Sequence, residues 1–344
     1  MKFNLVALCS IVSLSHAAEL TYYIGTSGPQ AKGILRGTID AETGKLSVPV
    51  VIADAKGASY LALSKDAKTL YATSEVAGGG VAAYRLAVGG AATLLNAQDS
   101  QGKGATHLSV DPSGRNLLVA NYGSGSVACL PLKDDGSLLP AHGIYADAAG
   151  RFVYVPDLGT DDIFIYRLDA GKGLLTLNEP KSGRVAPGAG PRHLAFHPQG
   201  GFAYACNEMA LTVSAFKLDT ASGGLTEIQT LPTLPEGASA TGASTAEIFC
   251  LPNGKALYVS NRGHDSLAVY AIGADGKLAL IQHALDTPAT PRGFGLSSDG
   301  RWLVCAGQKS GTINAYRVDL ATGKLTDTHQ SVVAGSSCCI LFTP

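Results

Sequence analysis

Charged residues are scarce in this sequence. Only 15% of the 344 residues are Asp, Glu, Lys or Arg, and 26 basic against 27 acidic side chains give a formal net charge of −1. Soluble domains usually have about 25% charged residues. The sequence therefore lacks the basic surface that binding to nucleic acid or to an anionic membrane requires, and we expect a small-molecule partner. The oligomeric state stays open at this stage.

Long hydrophobic segments and methionines are also few. No segment beyond the N-terminus approaches the roughly 20 apolar residues that cross a bilayer, and there are only two methionines. Glycine, in contrast, supplies 42 residues and proline 16. Frequent turns and few long helices follow from this composition, which predicts an all-β chain.

The N-terminus has the features of a secretory signal peptide. Lys2 precedes an apolar segment over residues 5–12, and the small residues Ser15 and Ala17 lie three and one positions before a possible cleavage point. We expect cleavage after Ala17, so that residues 1–17 are the signal peptide and residues 18–344 form one exported domain.

Export permits disulfides, but the cysteine spacing does not resemble a disulfide framework. Four cysteines lie inside apolar strand patterns and are expected to be buried free thiols: Cys129, Cys206, Cys250 and Cys305. The adjacent Cys338 and Cys339 leave the question of pairing open.

A repeated unit of apolar strand, short polar turn and apolar strand occurs six times along the chain. Its turns are at positions 67, 114, 150, 200, 254 and 300, which gives spacings of 47, 36, 50, 54 and 46 residues. Most of these spacings match a four-stranded propeller blade. A seventh unit is divided: residues 21–46 supply its middle strands and residues 338–342 its inner strand. We therefore predict a seven-bladed β-propeller whose N- and C-terminal strands share one blade.

The spacing of 36 is shorter than the others. Between Leu139 and His142 there is no room for the outer strand and return loop of the other units. That blade is therefore expected to be truncated, unless the chain lacks a segment there.

In a propeller blade the inner strand lines the central channel and the next strand runs antiparallel to it, so residues equally distant from their shared turn lie at the same end. This rule gathers many polar residues at one mouth of the channel: Ser59, Tyr60, Thr106, His107, His142, Arg192, His193, Glu247 and Arg292 before the turns, and Ser74, Glu75, Asn121, Tyr122, Asp157, Asn207, Glu208, Asn261, Arg262 and Gln308 after them.

Two interpretations apply to these polar residues. Asn and Asp commonly satisfy backbone groups at strand ends, and we expect that role for four of them: Asn121, Asp157, Asn207 and Asn261. Arginines beside Glu and His in a concave channel must instead be paired or kept available for an anion. The arginines therefore indicate an anion-binding site.

Six segments occur along the sequence in this order: Ile24-Gly25-Thr26, Ala120-Asn121-Tyr122-Gly123-Ser124-Gly125, Val155-Pro156-Asp157-Leu158-Gly159, Gly190-Pro191-Arg192-His193-Leu194, Ala246-Glu247-Ile248 and Val259-Ser260-Asn261-Arg262-Gly263-His264. Together they resemble the seven-bladed propeller lactonase family, which includes bacterial 6-phosphogluconolactonase and fungal carboxy-cis,cis-muconate cyclase. The resemblance spans essentially the whole mature chain.

The resemblance implies a site of one histidine, two arginines and one glutamate. Carried over residue by residue, the catalytic candidates are His142, Arg192, Glu208 and Arg262, and the neighbouring substrate-binding candidates are His107, Glu247 and Arg292. The loop before His142 is shorter than is usual in the family.

The family resemblance implies an enzyme that opens or forms a lactone ester. Arginines would hold a carboxylate or a developing oxyanion, and Glu208 or His142 would move the proton. No Gly-x-Ser-x-Gly, His-Glu-x-x-His or Cys-x-x-Cys motif occurs, so neither a serine nucleophile nor a zinc site is indicated. We expect no cofactor and no metal.

Three alternatives stay open at this stage: a muconate cyclase-like lactonising isomerase, a calcium-dependent lactonase and a non-catalytic binding propeller. The calcium enzyme would use a ring of Glu75, Asn121, Asp157, Asn207 and Glu208. Export favours a non-phosphorylated sugar lactone or an aromatic-breakdown product over a sugar phosphate.

Overall fold

The described part of the chain is a seven-bladed β-propeller. The computed structural model describes residues 19–55, 57–74, 80–87, 91–100, 102–133, 145–147 and 149–344. The proposed signal peptide, Glu75, His142 and the short 140–142 connection therefore lie outside the described residues. Within these ranges, no helix is long and apolar enough to cross a membrane.

The described residues form seven antiparallel sheets, which we number as blades 1 to 7 in chain order. A single 3-10 turn at Tyr122–Ser124 is the helical element assigned among them. The strands of the first three blades are β1 (Glu19–Thr26), β2 (Ile34–Asp40) and β3 (Val50–Ala53); β4 (Leu61–Leu63), β5 (Thr69–Thr73), β6 (Val81–Leu86) and β7 (Ala92–Gln98); and β8 (Ala105–Val110), β9 (Asn116–Asn121) and β10 (Ser126–Pro131).

The remaining blades continue the same antiparallel order. Their strands are β11 (Tyr145–Ala146), β12 (Phe152–Asp157), β13 (Asp162–Asp169) and β14 (Leu174–Arg184); β15 (Pro191–Phe196), β16 (Phe202–Asn207), β17 (Thr212–Leu218) and β18 (Leu225–Pro232); β19 (Ser244–Cys250), β20 (Ala256–Arg262), β21 (Ser266–Ile272) and β22 (Leu278–Ala284); β23 (Pro291–Leu296), β24 (Trp302–Gly307), β25 (Thr312–Val318) and β26 (Leu325–Val333); and β27 (Ser337–Phe342), the inner strand of blade 1.

The ring closes as the sequence predicts. Strand β27 pairs with β1 in antiparallel register, with Tyr22 opposite Phe342 and Ile24 opposite Ile340. Blade 1 is thereby completed from both ends of the chain, which pairs a strand edge that would otherwise be open. Blade 3 has three strands among the described residues, and residues 134–144, which follow its third strand, lie outside them.

The hydrophobic core consists of layers between the blades. Each of the seven buried clusters combines residues of two neighbouring blades, and together they complete the circle. Buried tyrosines of blades 4, 5 and 6 also donate their hydroxyl hydrogen to a carbonyl of the next blade, where Tyr154, Tyr204 and Tyr258 bond Gly223, Gly276 and Gly323. The rings add apolar burial while the hydroxyl groups stay satisfied, so the blades are joined in a fixed orientation.

The turns between inner and second strands explain the Asp and Gly residues of the repeat. In blade 3, Asp111 Oδ1 accepts the backbone N–H groups of Arg115 and Asn116, and in blade 4 Asp147 does the same for Arg151 and Phe152. Gly114 in the first of these turns has φ +73°, a conformation that favours glycine. The repeated turn fixes the register of the first two strands, and thereby the height at which side chains enter the channel.

The six cysteines that follow the proposed signal peptide are free. Five are buried, and Cys250 is partly exposed. This confirms the prediction of free thiols, and it shows that Cys338 and Cys339 are not joined to each other or to another described cysteine.

Candidate active site

Inner strands of the propeller bulge at one end, and the bulges direct side chains to the site. The register shifts between Ala105 and His107 in β8, between Pro191 and His193 in β15, and between Pro291 and Gly293 in β23. The extra residues are Thr106, Arg192 and Arg292. A β-bulge bends the strand and changes the direction of its side chain. Arg192 and Arg292 thus occupy equivalent positions in blades 5 and 7.

The other two charged candidates come from second strands. Glu208 directly follows β16 and Arg262 ends β20. Inner-strand bulges and second-strand ends meet at the same mouth of the channel, around a cavity of about 520 Å³. Five of the seven catalytic and substrate-binding candidates line this cavity: His107, Arg192, Glu208, Arg262 and Arg292.

Glu208 is held between two arginines. Its Oε2 lies 2.9 Å from Arg192 Nε, and its Oε1 lies 2.7 Å from Arg262 Nη2. Between 17% and 21% of each of the three side chains is exposed, so these charges are less screened than surface pairs. The cluster joins blade 5 to blade 6.

Both arginines are also anchored on the bulged backbone of β19. Arg192 Nη1 donates to the carbonyl oxygen of Ala246, and Arg262 Nη2 donates to that of Thr245 at 3.1 Å. Burial and the charge of Arg192 lower the pKa of Arg262 from its usual value. An arginine nevertheless stays protonated in proteins, so both guanidinium groups are fixed positive charges.

Glu247 has a different position from the other candidates. It is 3% exposed, and it lies behind Arg192 and not on the cavity wall that the described residues form. Ala246 and Glu247 together oppose Ser260, and this bulge turns the Glu247 side chain toward His193, whose Nδ1 lies 2.6 Å from Glu247 Oε1. The other ring nitrogen of His193, Nε2, lies 3.2 Å from Arg192 Nη1.

Burial sets the charge of these inner groups. It raises the pKa of Glu247 to about 8, against the opposing effect of Arg192 and the Ile248 N–H group. It holds the pKa of His193 well below its usual value, and Arg192 adds to this. His107 is shifted in the same direction by burial and by His193. At neutral pH the two imidazoles are neutral, so they add no positive charge to that of the arginines.

Four polar residues at the same mouth stabilise strand ends and turns, as the sequence predicts. Asn121 bonds Ser100, Asn207 bonds Thr212 and Ser214, and Asn261 bonds Thr233 and Ser266 through their side chains, whereas Asp157 accepts the N–H groups of Gly159 and Thr160. Of the residues of the calcium-ring alternative, Asn121, Asp157 and Asn207 make these contacts, and Glu75 lies outside the described residues. Among the described residues, no group of three or more His, Cys, Asp or Glu side chains is arranged to hold a metal ion.

His193 is the site residue that the sequence analysis left without a role. It occurs in the Arg192-His193 pair of the repeat, and its position is equivalent to those of His107 and Glu247. That equivalence is the feature of the sequence that could have identified His193 as a site residue. Its contacts with Glu247 and Arg192 depend on two bulges in neighbouring blades, which a sequence pattern does not reveal.

The comparisons with known proteins agree with this architecture. The model of the family "Lactonase, 7-bladed beta-propeller" matches residues 21–142 and 139–342. The 6-phosphogluconolactonase of Bacillus subtilis is 33% identical over 94% of this chain and 99% of its own length. That of Pectobacterium carotovorum is 34% identical over 92% of this chain and 93% of its own.

A solved structure is similar over almost the whole length. The periplasmic gluconolactonase of Pseudomonas aeruginosa superposes with a TM-score of 0.89 at 28% identity, covering 95% of this chain and 99% of that chain. The family match, the full-length relatives and the seven blades lead to one conclusion: the chain belongs to the family of seven-bladed β-propeller lactonases.

Proposed function

We propose that this chain is an exported lactonase that opens the ring ester of an anionic sugar-type or carboxylated lactone, without a metal ion. The observation that carries the proposal is the Glu208 carboxylate held between Arg192 and Arg262 on the cavity wall. The full-length similarity to 6-phosphogluconolactonases supports the same reaction class.

The charges of the cavity favour an anionic ligand. Among the described residues, three guanidinium groups line it, those of Arg192, Arg262 and Arg292, against the carboxylates of Glu208 and Asp157. Asp157 already accepts two backbone N–H groups of its own turn. Planar guanidinium groups bind carboxylate and phosphate oxygens in pairs, and they stabilise an oxyanion in the same way.

Hydrolysis requires a base, and Glu208 is the candidate. Its carboxylate removes a proton from water while the water oxygen bonds to the lactone carbonyl carbon, and guanidinium N–H groups hold the negative charge that develops on the carbonyl oxygen. When this intermediate collapses, the ring C–O bond breaks and Glu208 returns the proton to the departing alkoxide. The product is an open hydroxy acid.

Substrate binding also changes the state of the base. An anionic substrate competes with Glu208 for the N–H groups of Arg192 and Arg262. A carboxylate that loses part of its ion pairing becomes a stronger base. The arrangement therefore activates Glu208 when a suitable anion occupies the cavity.

His142 is retained in the proposal as a second group for proton transfer. The role follows from the family resemblance, and the residue lies outside the described residues. We expect His142→Ala to lower kcat, and Glu208→Gln to lower it further.

The substrate is proposed to lack a 6-phosphate. The N-terminal segment has the features of a signal peptide, and sugar phosphates are mainly cytosolic. The structural neighbour from Pseudomonas aeruginosa is described as a periplasmic gluconolactonase. We therefore place this enzyme outside the cytoplasm.

The test is a substrate panel for the protein that begins at Ala18: glucono-δ-lactone, 6-phosphogluconolactone, muconolactone and carboxy-cis,cis-muconate. Proton release above the spontaneous rate is measured for the three lactones and proton uptake for carboxy-cis,cis-muconate, with and without EDTA, beside Glu208→Gln. We expect turnover of a non-phosphorylated lactone that EDTA leaves unchanged and that Glu208→Gln lowers at least about 10²-fold.

Three results would contradict this proposal in different ways. Lactone formation from carboxy-cis,cis-muconate alone would identify a cyclase, and loss of activity with EDTA would identify a metal-dependent enzyme. No turnover of any compound would favour a binding propeller.

A further inference from the structure

A row of side chains fills the channel directly below the cavity. Tyr60, His107, His193 and Glu247 come from the inner-strand region of blades 2, 3, 5 and 6. The rings of Tyr60 and His107 are 4.1 Å apart between centroids, those of His107 and His193 are 5.1 Å apart, and His193 bonds Glu247. His107 and His193 also line the cavity, so this row contributes to its floor.

The row ends near blade 7 for a steric reason. The equivalent position there is Gly293, where a Cβ atom would overlap the backbone carbonyl of Cys338. The polar contacts at this end of the row therefore run from Glu247 through His193 to Arg192.

The hydrogen-bond donors in this chain of contacts can be assigned. An arginine has only donors, so Arg192 Nη1 donates to His193 Nε2, which must carry a lone pair. A neutral imidazole then has its proton on Nδ1, and Nδ1–H donates to Glu247 Oε1. The same Oε1 accepts the backbone N–H of Ile248 at 3.1 Å. In this tautomer Glu247 Oε1 accepts the Nδ1 proton of His193, while Nε2 accepts from Arg192.

We propose that Glu247 and His193 are positioning residues for Arg192, with Glu247 selecting the histidine tautomer whose Nε2 accepts a hydrogen bond from the arginine. The proposal rests on the proposed function of Arg192 as the group that holds the substrate anion. It assigns to Glu247 a role behind the arginine in place of direct contact with substrate.

The contacts of Arg192 show what the positioning achieves. Nε lies 2.9 Å from Glu208 Oε2 in an ion pair, and Nη1 lies within hydrogen-bond distance of both Ala246 O and His193 Nε2, which uses both hydrogens of Nη1. Among the bonds within the described residues, these leave the hydrogens of Nη2 for an anion in the cavity. With the opposite tautomer, Nε2–H would face an N–H of Arg192, and the repulsion would displace the guanidinium group.

The electrostatic surroundings keep His193 neutral. Burial and the positive charges of Arg192, Arg292 and Arg262 lower its pKa, and only Glu208 acts in the opposite direction. The other titratable neighbours of the pair include Tyr60, His107, Cys206 and Cys339, of which the two thiols have their pKa raised by burial. A neutral His193 can act as an acceptor toward Arg192, whereas an imidazolium cannot.

The test compares wild type with Glu247→Gln and Glu247→Leu. Glutamine keeps an oxygen that can accept from Nδ1–H, and leucine fills similar space without an acceptor. Nitrogen NMR of the imidazole groups at pH 7 reports the tautomer of His193, with His193→Asn as the assignment control. The Nε–H signal of Arg192 reports its bond to Glu208. Both readouts are independent of activity.

We expect the proton of His193 on Nδ1 in wild type and in Glu247→Gln, with kcat/KM within about threefold of each other. In Glu247→Leu the proton moves to Nε2, the Arg192 signal shifts, and kcat/KM falls at least tenfold. His197→Gln, a change in the turn between β15 and β16, is expected to leave all three readouts unchanged. A role of Glu247 in packing alone would not explain why glutamine preserves kcat/KM while leucine, which fills similar space, lowers it.

A proton on Nε2 of His193 in wild type would overturn the proposal, and this holds even if Glu247→Leu does not fold. A folded Glu247→Leu with wild-type kcat/KM would also overturn it. If wild type opens no lactone, the proposed function fails, whereas the NMR signals still decide whether Glu247 positions Arg192 through His193.

Discussion

Glu208 and Arg262 form an ion pair between neighbouring blades, with 2.7 Å between Oε1 and Nη2. Glu208 follows the second strand of blade 5, and Arg262 ends the second strand of blade 6. Arg192 holds the other oxygen of the same carboxylate. A partly buried cluster of this kind can stabilise the packing of the blades, and it can take part in the reaction. Substitutions that report stability and activity separately distinguish these two contributions.

Glu208→Gln is predicted to lower kcat about 10²- to 10⁴-fold, the usual contribution of a general base. KM should change less, because glutamine keeps the shape of the side chain. Initial rates and thermal melting are measured on the same preparation. The matched control is Glu227→Gln, since Glu227 accepts from Thr230 on the outer strand of the same blade. Near-normal kcat in Glu208→Gln would place the base elsewhere.

Arg192→Lys is predicted to lower kcat/KM by about 10²- to 10³-fold while the protein stays folded. Lysine keeps the charge, but it loses the planar set of donors that reaches Glu208, Ala246 and the ligand together. Arg184→Lys is the control, because Arg184 bonds Asp162 through two nitrogens on the outer face of blade 4. Equal losses of stability and activity in Arg192→Lys would indicate a structural ion pair.

The fold could be predicted from the sequence because the same local features recur in every repeat. Each unit has the same turn and the same alternation of strands, and the divided unit at the two ends has one arrangement that leaves no open edge. The gathering of Arg192, Glu208, Arg262 and Arg292 at one mouth also followed from distances to the turns. The structure confirms these relationships, while the catalytic roles of the residues stay predictions.

The contacts inside the site could not be derived in this way. Glu247 was expected beside the substrate, and in the structure it is buried behind Arg192 against His193. The difference arises from bulges in β15 and β19, each of which adds one residue and redirects a side chain. Counting residues from a turn gives the end of the strand at which a side chain lies, but not the direction in which a bulge points it.

The buried carboxyl of Glu247 predicts a pH-dependent stability. Its pKa of about 8 lies above the roughly 4.3 of an unfolded chain, so the folded state binds a proton more tightly. Stability is therefore lost as pH rises between these values, by roughly 1 kcal/mol for each pH unit. His193 and His107 have lowered pKa values, so the unfolded chain binds their protons more tightly. Their titration therefore makes stability rise with pH below about pH 6.5. The effect of Glu247 is isolated between pH 6.5 and 8.

Glu247→Gln removes this titration and serves as the reference. Between pH 6.5 and 8, the free energy of unfolding of wild type should fall by about 2 kcal/mol relative to that of the variant, measured by urea denaturation. Parallel pH curves for the two proteins would show that Glu247 is ionised in the folded state throughout this range. The positioning of Arg192 would then involve a charged partner of His193.

Removal of residues 335–344 is predicted to destabilise the whole propeller, because these residues contain the inner strand of blade 1. Strand β27 buries Ile340 and Phe342 in the layer shared with blade 7, and its loss leaves β1 with an open edge. An unpaired edge strand favours aggregation.

Removing Pro344 alone is the control, since it leaves all the pairs between β1 and β27 in place. Ile340→Ala gives a graded version, with an expected loss of about 2–5 kcal/mol. Melting followed by circular dichroism should show no cooperative transition near the wild-type temperature for the truncated protein. An unchanged cooperative transition would mean that the other six blades hold together without closure of the ring.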